Sequence, residues 1–351
     1  MDRETVAVYE RRADAWRAQK ERPIPASLAP FTARVPAGPR IDLGCGPGWH
    51  SNLLGAPVVA MDAAMAMLRQ VPEFAPDALR VQADLEHLPF RPNAFAGVWA
   101  HKSLMHVPAE RVSMALAEIH RALAVGAAVH FRVTCDQLPA DWNDPFRGRH
   151  FAYFTTALFR EMVEAAGFAM LEASDDGTEW IDVEATRELL LPDTVGPDMH
   201  LLVVGLNPSV YSAQAGVGFA RPGNRFWPAA VAAGIATRPH DPVHLLRVDG
   251  VGMTNLVRRA TPRADALTDE EYRAGVARLE RLVRRLTPRA VCFVGITGYR
   301  AAIDRGAAYG WQPGTFAGAP AYVMPNTSGL NAHAKPADFA QHLRAAAAPP
   351  P

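Results

Sequence analysis

Cysteine is scarce in this chain: Cys45, Cys135 and Cys292 are the only three, and they lie far apart. Such spacing excludes a disulfide framework, and three thiols are too few for a four-cysteine metal or iron–sulfur site. No run of about 18 uncharged apolar residues is present to cross a bilayer, so no membrane partner is expected. The opening stretch, Met1–Tyr9, carries two acids and a base and does not read as a secretory signal; a cytoplasmic location is expected. An excess of either charge is also lacking, since 36 Lys+Arg balance 36 Asp+Glu. The balance hides a division. Residues 1–190 hold 19 Lys+Arg against 25 Asp+Glu, a net of −6, and residues 191–351 hold 17 against 11, a net of +6. An acidic half followed by a basic half predicts two modules, the basic one suited to a polyanion.

What is present is ample apolar material. The 351 residues are 49% hydrophobic, too apolar for disorder and long enough for two or three domains. A helical leader, Glu4–Gln19, precedes a Pro-rich stretch from Pro23 to Pro39. Ile41–Leu43, Val58–Met61, Leu79–Ala83, Ala96–Ala100 and Ala127–Val133 then read as buried strands. Ala64–Arg69, Ala109–Ala122 and Thr156–Gly167 read as helices between or after them. This alternation predicts a parallel sheet with helices on both faces. Val183–Leu191 leads out of this half, and Pro192–Pro197 reads as a linker. A second α/β unit follows, with strands at His200–Gly205, Ala290–Gly295 and Ala321–Met324, a long helix over Asp269–Arg285, and a frayed Ala/Pro-rich tail over Arg344–Pro351. The expected domains are residues 1–188 and 189–351.

In the first half, RIDLGCGPG (Arg40–Gly48) runs an apolar strand into Gly44, Gly46 and Gly48. Glycines there let the backbone turn sharply and approach a ligand. Asp62, eighteen residues after Gly44, ends the next strand, where a carboxylate can accept both hydroxyls of a ribose. With VQADLEHLPF, Phe95–Trp99 and EIHRALAVGAAVHFRV, this segment resembles the class I S-adenosylmethionine-dependent methyltransferases over about residues 30–185. The resemblance implies a Rossmann-like sheet that binds S-adenosylmethionine through Asp42, Gly44, Gly46, Gly48, Asp62 and Asp84, the last near the adenine. Ala127 and Ala128 stand where the family often has glycine. The methyl acceptor is unknown. HKSLMHVP (His101–Pro108) lacks the Asn/Asp-Pro-Pro-aromatic loop of base-amine methylation, and no cysteine follows a proline as cytosine C5 methylation needs. His101, His106 and Tyr153 are candidates for an acceptor pocket or, more ordinarily, for structural roles.

In the second half, GLNP places Asn207 just after a strand, where open α/β sheets bind ligands. Phe219 follows twelve residues later, then GNRFW (Gly223–Trp227), whose Phe226 and Trp227 read as core. MPNTSGLNAH (Met324–His333) follows another strand. GLNPSVYSAQAGVGFARPGNRFWP, GMTNLVRRATPRADALT and MPNTSGLNAH together resemble the mismatch-specific uracil/thymine-DNA glycosylases of the uracil-DNA glycosylase superfamily, over about residues 192–345. The resemblance implies an α/β/α sandwich acting on double-stranded DNA that contains a uracil mispaired with guanine. It makes Asn207 the residue that positions the attacking water. Pro208, Ser209, Ser212, Phe219 and Asn255 would hold the flipped base, with Phe219 stacked on it. The segment Asn326–Asn331 would enter the duplex, Leu330 as the wedge, with Asn326, Ser328, Gly329 and Asn331 beside it. Ser209 stands where the family often has glycine. Arg221, Arg225, Arg258 and Arg259 are candidate phosphate contacts, and solvated surface arginines otherwise. The half holds one lysine, Lys335, without motif support as a nucleophile. The expected enzyme therefore leaves an abasic site without cutting the strand, and needs no cofactor or metal for that step. The alternative is a small-molecule or RNA methyltransferase whose second half only binds nucleic acid. A third possibility is a methyltransferase half that binds cofactor without turning over.

Overall fold

The computed structural model describes residues 1–19, 23–137, 144–175, 177, 179–329 and 335–348. The chain divides into two compact units, Met1–Glu188 and Leu189–Pro351.

The first unit is built on strands β1 (Arg40–Leu43), β2 (Val58–Asp62), β3 (Leu79–Gln82), β4 (Phe95–His101), β5 (Leu123–Cys135), β6 (Tyr153–Phe154), β7 (Phe168–Asp175) and β8 (Trp180–Arg187). They form one sheet in the order β3-β2-β1-β4-β5-β8-β7, with β6 beside β5. Strands β1 to β5 run parallel, and β8 pairs antiparallel with both β5 and β7. The order reverses between β1 and β4, which opens a crevice at their C-terminal ends. Buried parallel strands read as continuous apolar runs, and β4 is buried from Phe95 to Ala100. Val183–Leu191 crosses the boundary between the units, and its first part lies in β8, where Ile181, Val183 and Ala185 alternate inward with Asp182 and Glu184. Within the Pro-rich stretch the helix Leu28–Arg34 buries Leu28 and Phe31, the latter against Trp99.

The second unit has strands β9 (Leu201–Gly205), β10 (Val251–Asn255), β11 (Val291–Val294), β12 (Gly310–Phe316) and β13 (Ala319–Met324), in the order β10-β9-β11-β13-β12. All pairs are parallel except β12 with β13. Leu201 and Val203 face a core completed by the helices Phe226–Ala233 and Pro336–Ala347. Leu202 and Val204 point the other way along the strand and are equally buried, so both faces are covered. The helix Asp269–Leu286 starts on a capping box of Thr268 and Glu271 and buries Leu279, Leu282, Val283 and Leu286.

The expected linker is part of this second unit. Asp193, Thr194 and Val195 are buried, and Thr194 exchanges two backbone hydrogen bonds with Met253. Asp193 accepts from Thr254 Oγ1 at 2.6 Å and pairs with Arg278 at 2.7 Å. Nor is the tail frayed from Arg344, since the last helix continues to Ala347 and buries Leu343 and Ala346. Among the described residues, no helix is long and apolar enough to cross a membrane.

Candidate active sites

In the first unit the chain leaves β1 through three left-handed glycines, with φ of +72° at Gly44, +54° at Gly46 and +88° at Gly48. A Cβ on Gly44 would sit 2.3 Å from Ser103 Cβ, so only glycine lets this turn pass the loop after β4. A Cβ on Gly46 would meet no atom within 4 Å. That turn instead borders a cavity of about 940 Å³, lined by Asp42, Gly44, Gly46 and Asp62 among others. The Gly46 amide donates to Asp62 Oδ2 at 2.9 Å, and the Ala64 amide donates to Asp62 Oδ1 at 2.9 Å. Burial pushes the Asp62 carboxyl up to about 6 although these amides pull it down. Burial likewise pushes Asp42 up to about 7, against the pull of the hydrogen bond it accepts from Ser51 Oγ at 2.7 Å.

Not every expected residue reaches the cavity. Gly48 packs on Val71, and the Asp84 carboxylate is taken up by the Met1 ammonium at 2.6 Å while its neighbours Ala83 and Leu85 line the wall. His101 and His106 line the cavity and Tyr153 does not. Both ring nitrogens of His106 are engaged, by the Tyr9 hydroxyl at 2.9 Å and by the His150 carbonyl at 2.7 Å. Lys102, Arg132, Glu179 and Trp180 also line the cavity, with the Lys102 ammonium 3.8 Å above the Trp180 ring. Sequence reading missed Glu179 and Trp180 because it did not find the β7–β8 hairpin, and Lys102 and Arg132, after β4 and within β5, because no motif marks them.

In the second unit, β9 and β10 end side by side, with Asn255 registered against Gly205. A Cβ on Gly205 would lie 2.5 Å from Asn255 Oδ1 and 3.3 Å from Phe219 Cζ. The bare glycine therefore lets the Asn255 amide and the Phe219 ring meet over the strand end. Phe219 has a φ of +56° and stacks on the fully buried Phe226, ring centroids 4.3 Å apart and planes 19° from parallel. Two residues beyond Gly205, Asn207 Nδ2 donates to Thr261 Oγ1 at 2.7 Å, the Arg259 carbonyl at 3.1 Å and the Pro208 carbonyl at 3.3 Å. Thr261 Oγ1 donates to the Arg263 carbonyl at 2.8 Å. Ser209 caps the helix Val210–Ala215, and Ser212 Oγ accepts from the Ala220 amide at 3.3 Å, tying that helix to the Phe219 loop.

After β13, Asn326 Oδ1 accepts from the Ser328 amide at 2.8 Å. Arg225 binds the Thr327 carbonyl through its backbone and the Ser328 carbonyl through its guanidinium, each at 2.9 Å. Gly329 lies against the Gly223 carbonyl, where a Cβ would come within 2.8 Å. The remaining expected loop residues, Leu330 and Asn331, lie outside the described residues.

Residues 41–131 match the family model described as a methyltransferase domain, and residues 192–347 match that of the uracil DNA glycosylase superfamily. The chain is a fusion of these two domains. Among solved structures it is similar to an S-adenosylmethionine dependent methyltransferase from Mesorhizobium loti, at 19% identity over 46% of this chain and 96% of the other, with a TM-score of 0.40. A putative S-adenosylmethionine dependent methyltransferase from Listeria monocytogenes aligns at 15% identity over 46% and 96%, TM-score 0.39. The DhpI–SAH complex aligns at 21% identity over 53% and 96%, TM-score 0.42.

Within the glycosylase-superfamily domain the four candidate phosphate contacts differ. Arg221 is exposed. Arg225 is held inside the domain by the bonds above, and Arg259 is paired with Glu271 at 2.5 Å. Arg258 is half-buried. Lys335 is exposed at the start of the last helix.

Proposed function

We propose that the glycosylase-superfamily domain hydrolyses the N-glycosidic bond of uracil mispaired with guanine in double-stranded DNA, the first step of base excision repair, and that the methyltransferase domain binds and uses S-adenosylmethionine. The observation that carries the first reading is the convergence of Asn207, Asn255 and Phe219 at one end of parallel strands. A base must leave the stack before its glycosidic bond is accessible, at a cost of a few kcal/mol that is smallest for a mispair. Phe219, backed by Phe226, offers a flat apolar face to such a ring, a contact worth about 1–3 kcal/mol. The Asn255 amide stands beside that face to bond the base oxygens as they gain negative charge, a stabilisation of the oxyanion-hole type.

Asn207 is no base, so the bond must break largely by leaving-group departure while the amide orients water. Its carbonyl oxygen is the group free to do so, because its NH₂ is turned toward Thr261 and Arg259. Thymine is a further candidate substrate, since the Ser212 side chain is small. Lys335, exposed at the start of the last helix, has no motif support as a nucleophile, which supports a product with an abasic site and an uncut strand.

The methyltransferase cavity suits S-adenosylmethionine on two observations. Gly46 leaves open space where any side chain would intrude, and the Asp62 carboxylate ends β2 beside it to accept ribose hydroxyls. When bound, the cofactor supplies an electrophilic methyl group.

One experiment tests both readings. A labelled duplex with a single G·U pair is incubated with wild type, Asn207→Ala and Gly46→Asp, and each protein is titrated with S-adenosylmethionine by calorimetry. The expected pattern is loss of excision in Asn207→Ala alone and loss of cofactor heat in Gly46→Asp alone. Undiminished excision by Asn207→Ala, or no heat from wild type, defeats the corresponding reading.

A further inference from the structure

In the methyltransferase domain, three ionisable side chains form a line from the cavity through the buried His130 to the part-buried Glu184. His101 closes β4 and lines the cavity. Its Nδ1 lies 3.2 Å from His130 Nε2, and His130 Nδ1 lies 2.7 Å from Glu184 Oε1. His130 is fully buried and stacked on Trp99, ring centroids 3.8 Å apart, while Glu184 is paired with Arg34. The tautomers follow from the inner end. Paired with Arg34, Glu184 is ionised and can only accept, so His130 carries its proton on Nδ1. His130 Nε2 is then a bare acceptor, and His101 must carry its own proton on Nδ1. With Nδ1 turned to His130, Nε2 at the other side of the ring keeps its lone pair and makes no hydrogen bond among the described residues, and His101 itself lines the cavity. His106, the other histidine of this wall named above, has both nitrogens occupied.

We propose that His101 is the general base of the methyl-accepting site, and that the acceptor is a small molecule with a phenolic hydroxyl. The proposal rests on the methyl-transfer reading above. Trp180 and Phe151 line the same cavity and suit a flat ring. A phenol is mostly un-ionised at neutral pH, and its oxygen is a weak nucleophile until the proton is removed. In the step, the acceptor O–H bond breaks and its proton goes to His101 Nε2. The oxygen electron pair forms the O–CH₃ bond, the S–CH₃ bond breaks, and its electron pair stays on sulfur as a thioether. The Nδ1 proton of His101 passes to His130 Nε2, and the Nδ1 proton of His130 passes to Glu184. The positive charge thus does not stay on His101, which burial, with His130, His50, Lys102 and Arg132 around it, holds far below the usual imidazole range. His130 and Glu184 are positioning residues in this scheme.

The test assays the full chain with S-adenosylmethionine and three probes, phenol, catechol and 4-hydroxybenzoate, following S-adenosylhomocysteine release. Wild type is expected to methylate at least one probe. His101→Asn is expected to lose about a hundredfold in kcat at similar KM. Glu184→Gln is expected to lose about tenfold, and in ¹⁵N spectra of histidine-labelled protein to mix the tautomers of His101, which a merely structural carboxylate would not do. Protein that binds the cofactor by calorimetry yet methylates no probe overturns the acceptor class. An unchanged kcat in His101→Asn overturns the base, and a wild-type His101 protonated at Nε2 overturns the relay. Absence of cofactor heat strikes the underlying reading instead, and the spectra still decide the relay.

Discussion

Asn207 gives its amide protons to Thr261, and Thr261 has no proton to give back, because its hydroxyl is committed to the Arg263 carbonyl. This one-way bond fixes which end of the Asn207 side chain faces outward. Losing it frees the amide to rotate and present NH₂ where a water acceptor is needed. Thr261→Val is therefore expected to slow single-turnover excision of uracil from a G·U duplex by about 10- to 100-fold, or ~1.4–2.7 kcal/mol, with little change in duplex affinity. Thr261→Ser should restore most of the rate. Equal rates for Thr261→Val and wild type would show that the amide needs no such anchor.

Gly205 offers a test of the meeting between Asn255 and Phe219. An added methyl at this position falls 2.5 Å from Asn255 Oδ1, so the amide must move. Gly205→Ala should retain the fold and lose at least about tenfold in excision, with the loss appearing in the chemical step. Quenched-flow measurement of that step checks it.

Asp42 and Asp62 give the methyltransferase domain an unusual pH response. Both carboxyls are pushed up by burial, to about 7 and about 6. The folded domain therefore binds protons that the unfolded chain has already released, and these two groups make it more stable as pH falls from above 7 toward about 4. Relative to wild type, Asp42→Asn should therefore gain thermal stability as pH rises from about 5 to about 8, whereas the buried His50, His101, His106 and His130, held below the usual imidazole range, make the unit lose stability as pH falls below about 6.5. Cofactor affinity should run opposite to the carboxyl effect. Ribose hydroxyls favour ionised Asp62, so affinity should fall below about pH 6, by at most about tenfold per pH unit. Thermal scans and calorimetry across that range separate the two trends.

Asp193 is a fourth test. Its carboxylate meets Arg278, which also donates to the Asn255 carbonyl at 2.5 Å. Asp193→Ala would leave a buried guanidinium unpaired and should destabilise the glycosylase-superfamily domain by about 3–5 kcal/mol. Chemical denaturation measures this directly. Asp193→Asn, which keeps an acceptor for Thr254 and Arg278, should cost less.

Most strands that could be read from sequence are buried on both faces, such as β2 (VVAMD) and β9 (LLVVG), where the apolar run is unbroken; β3 reads as buried as well, but it lies at the sheet edge and is largely exposed. The missed strands lack that signature. β8 alternates Ile181, Val183 and Ala185 with acids, β10 contains Gly252 and ends on Asn255, and β12 carries Pro313 and Gly314 with a register shift at the sheet edge. Asp193 to Val195 looked like a linker because Pro and Gly flank it, and local composition does not report a distant partner such as Arg278. The same limit governs the sites. Asn207, Phe219 and Asn255 stand in recognisable motifs, whereas Thr261 and Gly205 matter through contacts across the fold. His130 and Glu184 are 54 positions apart and carry no pattern.

Phe226 lies sealed beneath Phe219, so the surface offered to an everted pyrimidine is two hydrocarbon rings thick. Such a slab grips any flat heterocycle and is blind to the substituents around its rim. Choice among bases must then be made elsewhere, by how readily each abandons its partner in the helix and by the few hydrogen bonds waiting at the edge.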